Sequence, residues 1–342
     1  MNPAKAFAHL FSPQGGDDAE NYRAPGQITF MRSDHVALDT GKLRESGVRF
    51  AFIGAPFDEG NVGKPGSDEG PREFRLASQE YFPYWFEYQV DLHGCSADCG
   101  DVQMPKVNPK LSRERIYQAV RTILAAGVTP IICGGDRSIS IPATKALSDH
   151  IGADKKMGYL HFGAHLEMAD SWAGERDVST CALARISELP NLDSDNIAHI
   201  GARNSLNPKD WIDLAEQRGV RFFPMLEVLD RGVDAVTEEA VGRVWEGTDG
   251  QYVSFNFNVM DASAAPGVTT TEPGGLESRE IMRVAGALGK RGTVSVIDIS
   301  ELCPIFDVSG TTSRLAVCVV LRTLAAMAQA RGEVVDKEVR RP

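Results

Sequence analysis

Short apolar runs alternate with longer amphipathic stretches along most of the chain. The runs at Val48–Ile53, Val128–Cys133, Lys156–Phe162, Ile197–Gly201, Arg221–Phe223, Tyr252–Asn258 and Thr293–Ile297 read as strands, several apolar enough to be covered on both faces. Between them, Ser112–Ala126 puts Ile116, Val120, Ile123 and Leu124 on one helical face, with Ser112 as the expected N-cap and Gly127 just past the end. Gly70-Pro71 and Asn207-Pro208 mark two more helix starts. Val236–Trp245, Ser278–Leu288 and Ser313–Ala330 complete the pattern. Strands alternating with helices predict an α/β protein, a three-layer α/β/α sandwich around a mostly parallel sheet. No repeat or linker divides it, so residues 47–342 are expected to form a single domain. Residues 1–46 are polar, broken by Gly and Pro and without clean periodicity. The apolar Phe7, Leu10, Phe11, Phe30 and Met31 favour docking of this arm on a neighbouring subunit.

In such a sheet the chemistry sits at the C-terminal strand ends. The most telling stretch there is SFNFNVMDASAAPGVTTTEPGG, Ser254–Gly275. Asn256 and Asn258 stand two apart, which puts both side chains on one face of a strand. Two aspartates so placed would clamp hard divalent cations, whereas amides carry no charge to hold them.

Composition narrows the partners more than the chemistry. Hydrophobic residues make up 42% and charged residues 24%, ordinary for a globular protein. The net charge of -11 argues against nucleic acid or an anionic membrane as partner. No apolar run long enough to span a bilayer and no targeting segment is expected, which points to the cytoplasm. Six cysteines do not make a disulfide scaffold in a chain of 342 residues. Cys133, Cys181, Cys303 and Cys318 lie in or beside apolar runs, while Cys95, Cys99 and His93 match no common zinc spacing.

Three strand ends, GGDRSIS, HFGAHLEMAD and SFNFNVMD, line up with PGVTTTEPGG, DISELCPIFD and the early GAPFDEG and PGSDEGP. Together, over roughly residues 48–330, they resemble the ureohydrolase family of arginases and agmatinases. The resemblance implies an arginase-like fold, and, for active members, water bridging two divalent metals, manganese or nickel, that attacks a guanidino or amidino carbon. The family motifs GGDH, DAHxD and SxDxD supply two histidines and four aspartates. At those positions this chain has Arg137, Gly163, His165, Glu167, Asn256 and Asn258. A family site offers about −4 in charge to the two ions, and this one offers about zero, because Arg137 cancels Glu167. The family's shuttle histidine is also missing, since no histidine lies between His165 and His199.

The substitutions therefore imply a chain without its own metal, whose Arg137 fills the vacated volume and pairs with Glu167. Glu301 matches the family's guanidinium-receiving glutamate, and with Asp261 it forms an expected guanidinium pocket. These carboxylates, with Asp307, have an alternative role as loop hydrogen-bonding groups, and His165 as a satisfied core histidine. Since family members form trimers and hexamers, the reading is a catalytically inactive subunit of a heteromeric ureohydrolase. An active paralogue would carry the nickel or manganese, with no cofactor on this chain. The alternatives are a homo-oligomer that senses a guanidino ligand, and an enzyme using His165 and Glu167 as base and acid.

Overall fold

The computed structural model describes residues 28–333. Eleven strands are present there: β1 Asp34–His35, β2 Phe50–Ala55, β3 Tyr84–Trp85, β4 Val90–Asp91, β5 Ser96–Asp101, β6 Thr129–Gly134, β7 Met157–Phe162, β8 Ile197–Ile200, β9 Arg221–Phe223, β10 Gly250–Asn256 and β11 Val296–Ser300. Nine form one sheet in the order β1-β5-β2-β6-β11-β10-β7-β8-β9, and β3 and β4 make a separate hairpin. Every pairing in the large sheet is parallel. Helices cover both faces over two apolar cores, so the expected three-layer architecture is the observed one.

Several boundaries shift for identifiable reasons. Asn108, not Ser112, caps the helix Pro109–Ala125, because its side chain accepts the Leu111 N–H and Pro109 has no N–H to offer. Ser112 is buried inside that helix. The last strand begins at Val296 rather than Thr293, and β10 stops at Asn256. The final helix, Thr311–Ala330, is long and apolar enough to cross a membrane, with a mean hydropathy of 1.3, although no such run was expected. It is 78% buried over that stretch, packed against the helix Ser278–Gly289 as a core element.

The arm expected over residues 1–46 does not hold for residues 28–46. Phe7, Leu10 and Phe11 lie outside the described residues, but residues 28–46 belong to the body of this chain. Phe30 is fully buried and stacks on Phe52 at 5.0 Å and Phe74 at 5.5 Å. Its N–H reaches Asp98 Oδ2 at 2.7 Å, an oxygen also held by Arg75 Nε. β1 then extends the sheet beside β5, and the helix Thr40–Ser46 buries Leu43. The docking surface for Phe30 is thus its own domain.

The strand order sets the site. β6 is followed in the chain by β7, yet β11 and β10 lie between them. The loops leaving these four strands diverge and leave a crevice at the C-terminal edge.

Candidate functional site

Alternation along β7 turns Tyr159 and His161 toward the same face, with Gly163 next in the row. Arg137 starts a short turn after β6 that Asp136 caps, accepting the Ser138 N–H at 2.7 Å. The Arg137 side chain is wholly buried. Its Nε stands 2.7 Å from Glu167 Oε2 and 3.1 Å from His161 Nε2, and its Nη2 donates to the Tyr159 hydroxyl at 2.5 Å. His161 Nδ1 in turn lies 2.9 Å from His199 Nδ1, across the register of β7 and β8.

Asn256 and Asn258 do not share a strand face. Asn256 ends β10, and its Oδ1 accepts the Asn258 N–H at 3.1 Å, turning the chain into Phe257–Val259. Both side chains still reach the site from successive elements. Asn256 Nδ2 donates to Glu167 Oε1 at 3.0 Å. Asn258 Nδ2 donates to Glu301 Oε2 at 3.1 Å and lies 3.3 Å from His165 Nδ1, while its Oδ1 accepts the Ala164 N–H. Thr269 Oγ1 donates to the same Glu301 oxygen at 2.9 Å. Glu167 and Glu301 both have positive φ, 55° and 67°, a strained backbone for residues with a Cβ.

Asp261 is elsewhere. Its carboxylate accepts the Ser263 and Gly274 N–H groups at 2.9 and 2.7 Å, and those bonds with the Ser263 hydroxyl hold it down to about 2. It clamps its own loop and faces a different cleft, so it leaves the expected guanidinium pocket. Asp307 caps the last helix through the Thr312 and Ser313 N–H groups. His165 is not a satisfied core residue. Among the described residues its Nε2 has no hydrogen-bond partner, and the ring lines a cavity of about 350 Å³ with Glu167 and Glu301.

The site holds one buried cation and two buried carboxyls. Burial raises Glu167, reinforced by Glu301, while the Arg137 guanidinium in contact with it opposes the rise. Burial also raises Glu301, opposed by Thr269, and raises Asp136 to about 7. Burial and the Arg137 charge keep His161 and His199 neutral, and burial takes His165 down to about 4. The sign for stability follows. Above about pH 6.5 the folded chain keeps protons on Asp136 that the unfolded chain has lost, so stability falls as pH rises toward 8. At lower pH the buried histidines refuse protons that the unfolded chain takes up, which opposes the carboxyls. Urea melts are expected to show declining stability from pH 6.5 to 8, and a shallower decline in Asp136→Asn. Stability rising across that window would contradict this proton assignment.

The profile of the arginase family matches residues 48–326. The chain belongs to the arginase family. It is 31% identical to the guanidinopropionase of Pseudomonas aeruginosa over 327 residues, 93% of this chain and 96% of that one. It is 30% identical to the formimidoylglutamase of Halalkalibacterium halodurans, over 80% of this chain and 86% of that one. Among solved structures, proclavaminate amidinohydrolase from Streptomyces clavuligerus superposes with a TM-score of 0.79 at 25% identity, covering 89% of this chain and 98% of the other. Formiminoglutamase of Trypanosoma cruzi, solved with Mn2+2, has the same fold at a TM-score of 0.76 and 24% identity, over 85% of this chain and 98% of that one.

The arginase-family metal pair does not fit the side chains present here. A guanidinium donates hydrogen bonds and cannot ligate a cation, and Arg137 is already within 2.7 Å of Glu167. A carboxylate at position 163 has no room either, because a Cβ built on Gly163 meets His161 Nε2 at 2.7 Å. Bringing a dication beside the buried guanidinium costs several kcal/mol even at an effective dielectric near 20. Sequence reasoning missed Tyr159, His161, His199 and Thr269. Strand periodicity pointed to the Tyr159–His161 pair, but only the pairing of β7 with β8 brings His199 to it.

Proposed function

We propose that this chain is a catalytically inactive, metal-free subunit of a heteromeric ureohydrolase, assembled with an active paralogue that carries nickel or manganese. The observation that carries the reading is the buried Arg137 guanidinium against Glu167, a cation built into the place where family members hold cations. Three neutral histidines and two asparagines around it support the same reading, since none supplies the negative charge that dications require. Among heteromeric members the chain resembles the non-catalytic partner in nickel-dependent metformin hydrolase, which releases urea and dimethylamine. A biguanide is therefore the finer substrate proposal for the complex.

The test is to purify the chain alone and co-expressed with a paralogue that keeps all six family ligands. Native mass spectrometry, elemental analysis and urea release are then measured on each. Expected are a mixed oligomer, metal in proportion to the paralogue only, and no urea from the lone chain. Urea production by the lone chain would overturn the proposal. A second reading, a homo-oligomer that senses a guanidino ligand, is favoured by the cavity of about 350 Å³ that Glu301 still lines. Tight ligand binding by the lone chain with no mixed oligomer selects it.

A further inference from the structure

A second cavity, of about 420 Å³, is lined by the helix Ser140–Ile151 and by the stretch that ends at Leu189. Arg185 and Arg176 face it, and Ile141, Ile186 and Leu189 supply an apolar wall. Only 6% of the Arg185 side chain is exposed, and its Nη2 stands 2.8 Å from Asp170 Oδ1 and 2.9 Å from Glu188 Oε1. Its Nε and Nη1 have no hydrogen-bond partner among the described residues. The carboxylates nearby are already crowded with cations. Arg176 Nη2 is 3.1 Å from both Asp170 and Glu188, and Arg218 Nη2 is 3.2 Å from Glu188. Three guanidinium groups thus share two carboxylates, which leaves one positive charge over. The other charged groups on the wall are paired off, Lys145 with Asp149 at 2.5 Å and Asp177 with Arg113 at 3.6 Å. A nearly buried guanidinium with unspent donors and a surplus charge is costly unless an anion completes it.

We infer that this cavity binds a small organic monoanion, a carboxylate with a short apolar body, whose oxygens take the free Arg185 N–H groups and whose chain lies on Ile141, Ile186 and Leu189. One surplus charge matches one carboxylate, whereas a dianion is left undercompensated and makes no use of the aliphatic wall. The stretch from Asp170 to Cys181 stands between this cavity and the crevice. Arg176 and Asp177 line the one, while Trp172, Ser179 and Thr180 line the other. An anion held at Arg185 therefore braces the outer side of a loop whose inner side shapes the crevice. The inference does not depend on the reading of the chain as non-catalytic.

The probe is butyrate, titrated calorimetrically into the purified full chain in low-chloride buffer, with acetate, inorganic phosphate and butylammonium as comparisons. Expected are saturable binding of butyrate at millimolar concentration, weaker binding of phosphate and none of butylammonium. Acetate should bind about tenfold more weakly than butyrate, the effect of two fewer buried methylenes. Amide hydrogen exchange should slow over residues 170–189 when butyrate is bound. Arg185→Lys keeps the charge but cannot present the same N–H groups, and is expected to weaken butyrate about tenfold. Because Arg185 also anchors Asp170 and Glu188, Arg176→Gln is the second variant. The Arg176 side chain is 54% exposed, so its loss should leave the melting temperature unchanged and weaken butyrate about two- to fivefold. No saturable binding of butyrate, acetate or phosphate binding as tightly, unchanged affinity in either variant, or protection confined to other segments would sink the inference.

Discussion

Replacing Arg137 with alanine is expected to destabilise the fold by about 3–5 kcal/mol, the range for breaking a buried ion pair by removing one partner. The guanidinium is fully buried and joins Tyr159 and His161 on β7 to Glu167 in the loop that follows. Without it, Glu167 keeps Asn256 as its one side-chain donor among the described residues, and the Tyr159 hydroxyl loses the guanidinium that donates to it. The carboxyl responds by binding a proton, so part of the loss should be recovered in Arg137→Ala/Glu167→Gln. Urea unfolding of the four proteins of this cycle gives the coupling directly. A coupling near zero would mean that Arg137 is held by packing alone and does not replace a cation. Arg137→Met is the milder test, because it restores volume and removes only charge and donors.

Arg203→Ala is the second large effect, about 3 kcal/mol or more. Its guanidinium is mostly buried and touches six backbone carbonyls, those of Gly201, Asn258, Val259, Met260, Glu272 and Pro273. Gly201 follows β8, and the other five carbonyls lie on the turn that carries Asn258 and the two ends of the loop that carries Thr269. Since both residues hold Glu301, loss of Arg203 should loosen the pocket as well as the loop. Arg203→Lys is expected to rescue little, because an ammonium has three donors at one point and cannot span the fork. Full rescue by lysine would show that charge, not the fork, holds the loop. Amide hydrogen exchange over residues 257–275 locates the loosening.

Elements and their order followed from the sequence because local chemistry decides them. Apolar strands and amphipathic helices must bury their faces, and a strict alternation leaves a parallel sheet covered on both sides as the economical solution. The resemblance of the strand-end motifs to the family pointed to Arg137, Glu167, His165, Asn258 and Glu301, and these meet because residues at the C-terminal ends of central strands converge wherever that sheet forms. Charge alone made Arg137 and Glu167 natural partners, since an isolated buried guanidinium is too costly to keep. What the chain pattern left open was which neighbour each group meets. Asp261 and Glu301 look equivalent in sequence, yet a turn folds one onto its own loop and a strained backbone turns the other into the cavity. His199 joined His161 only through the pairing of β7 with β8, and Phe30 reached Phe52 and Phe74 only because the sheet and a helix presented both rings together. Those contacts link residues far apart in the chain, so no window of sequence contains them, and only the packed structure decides them.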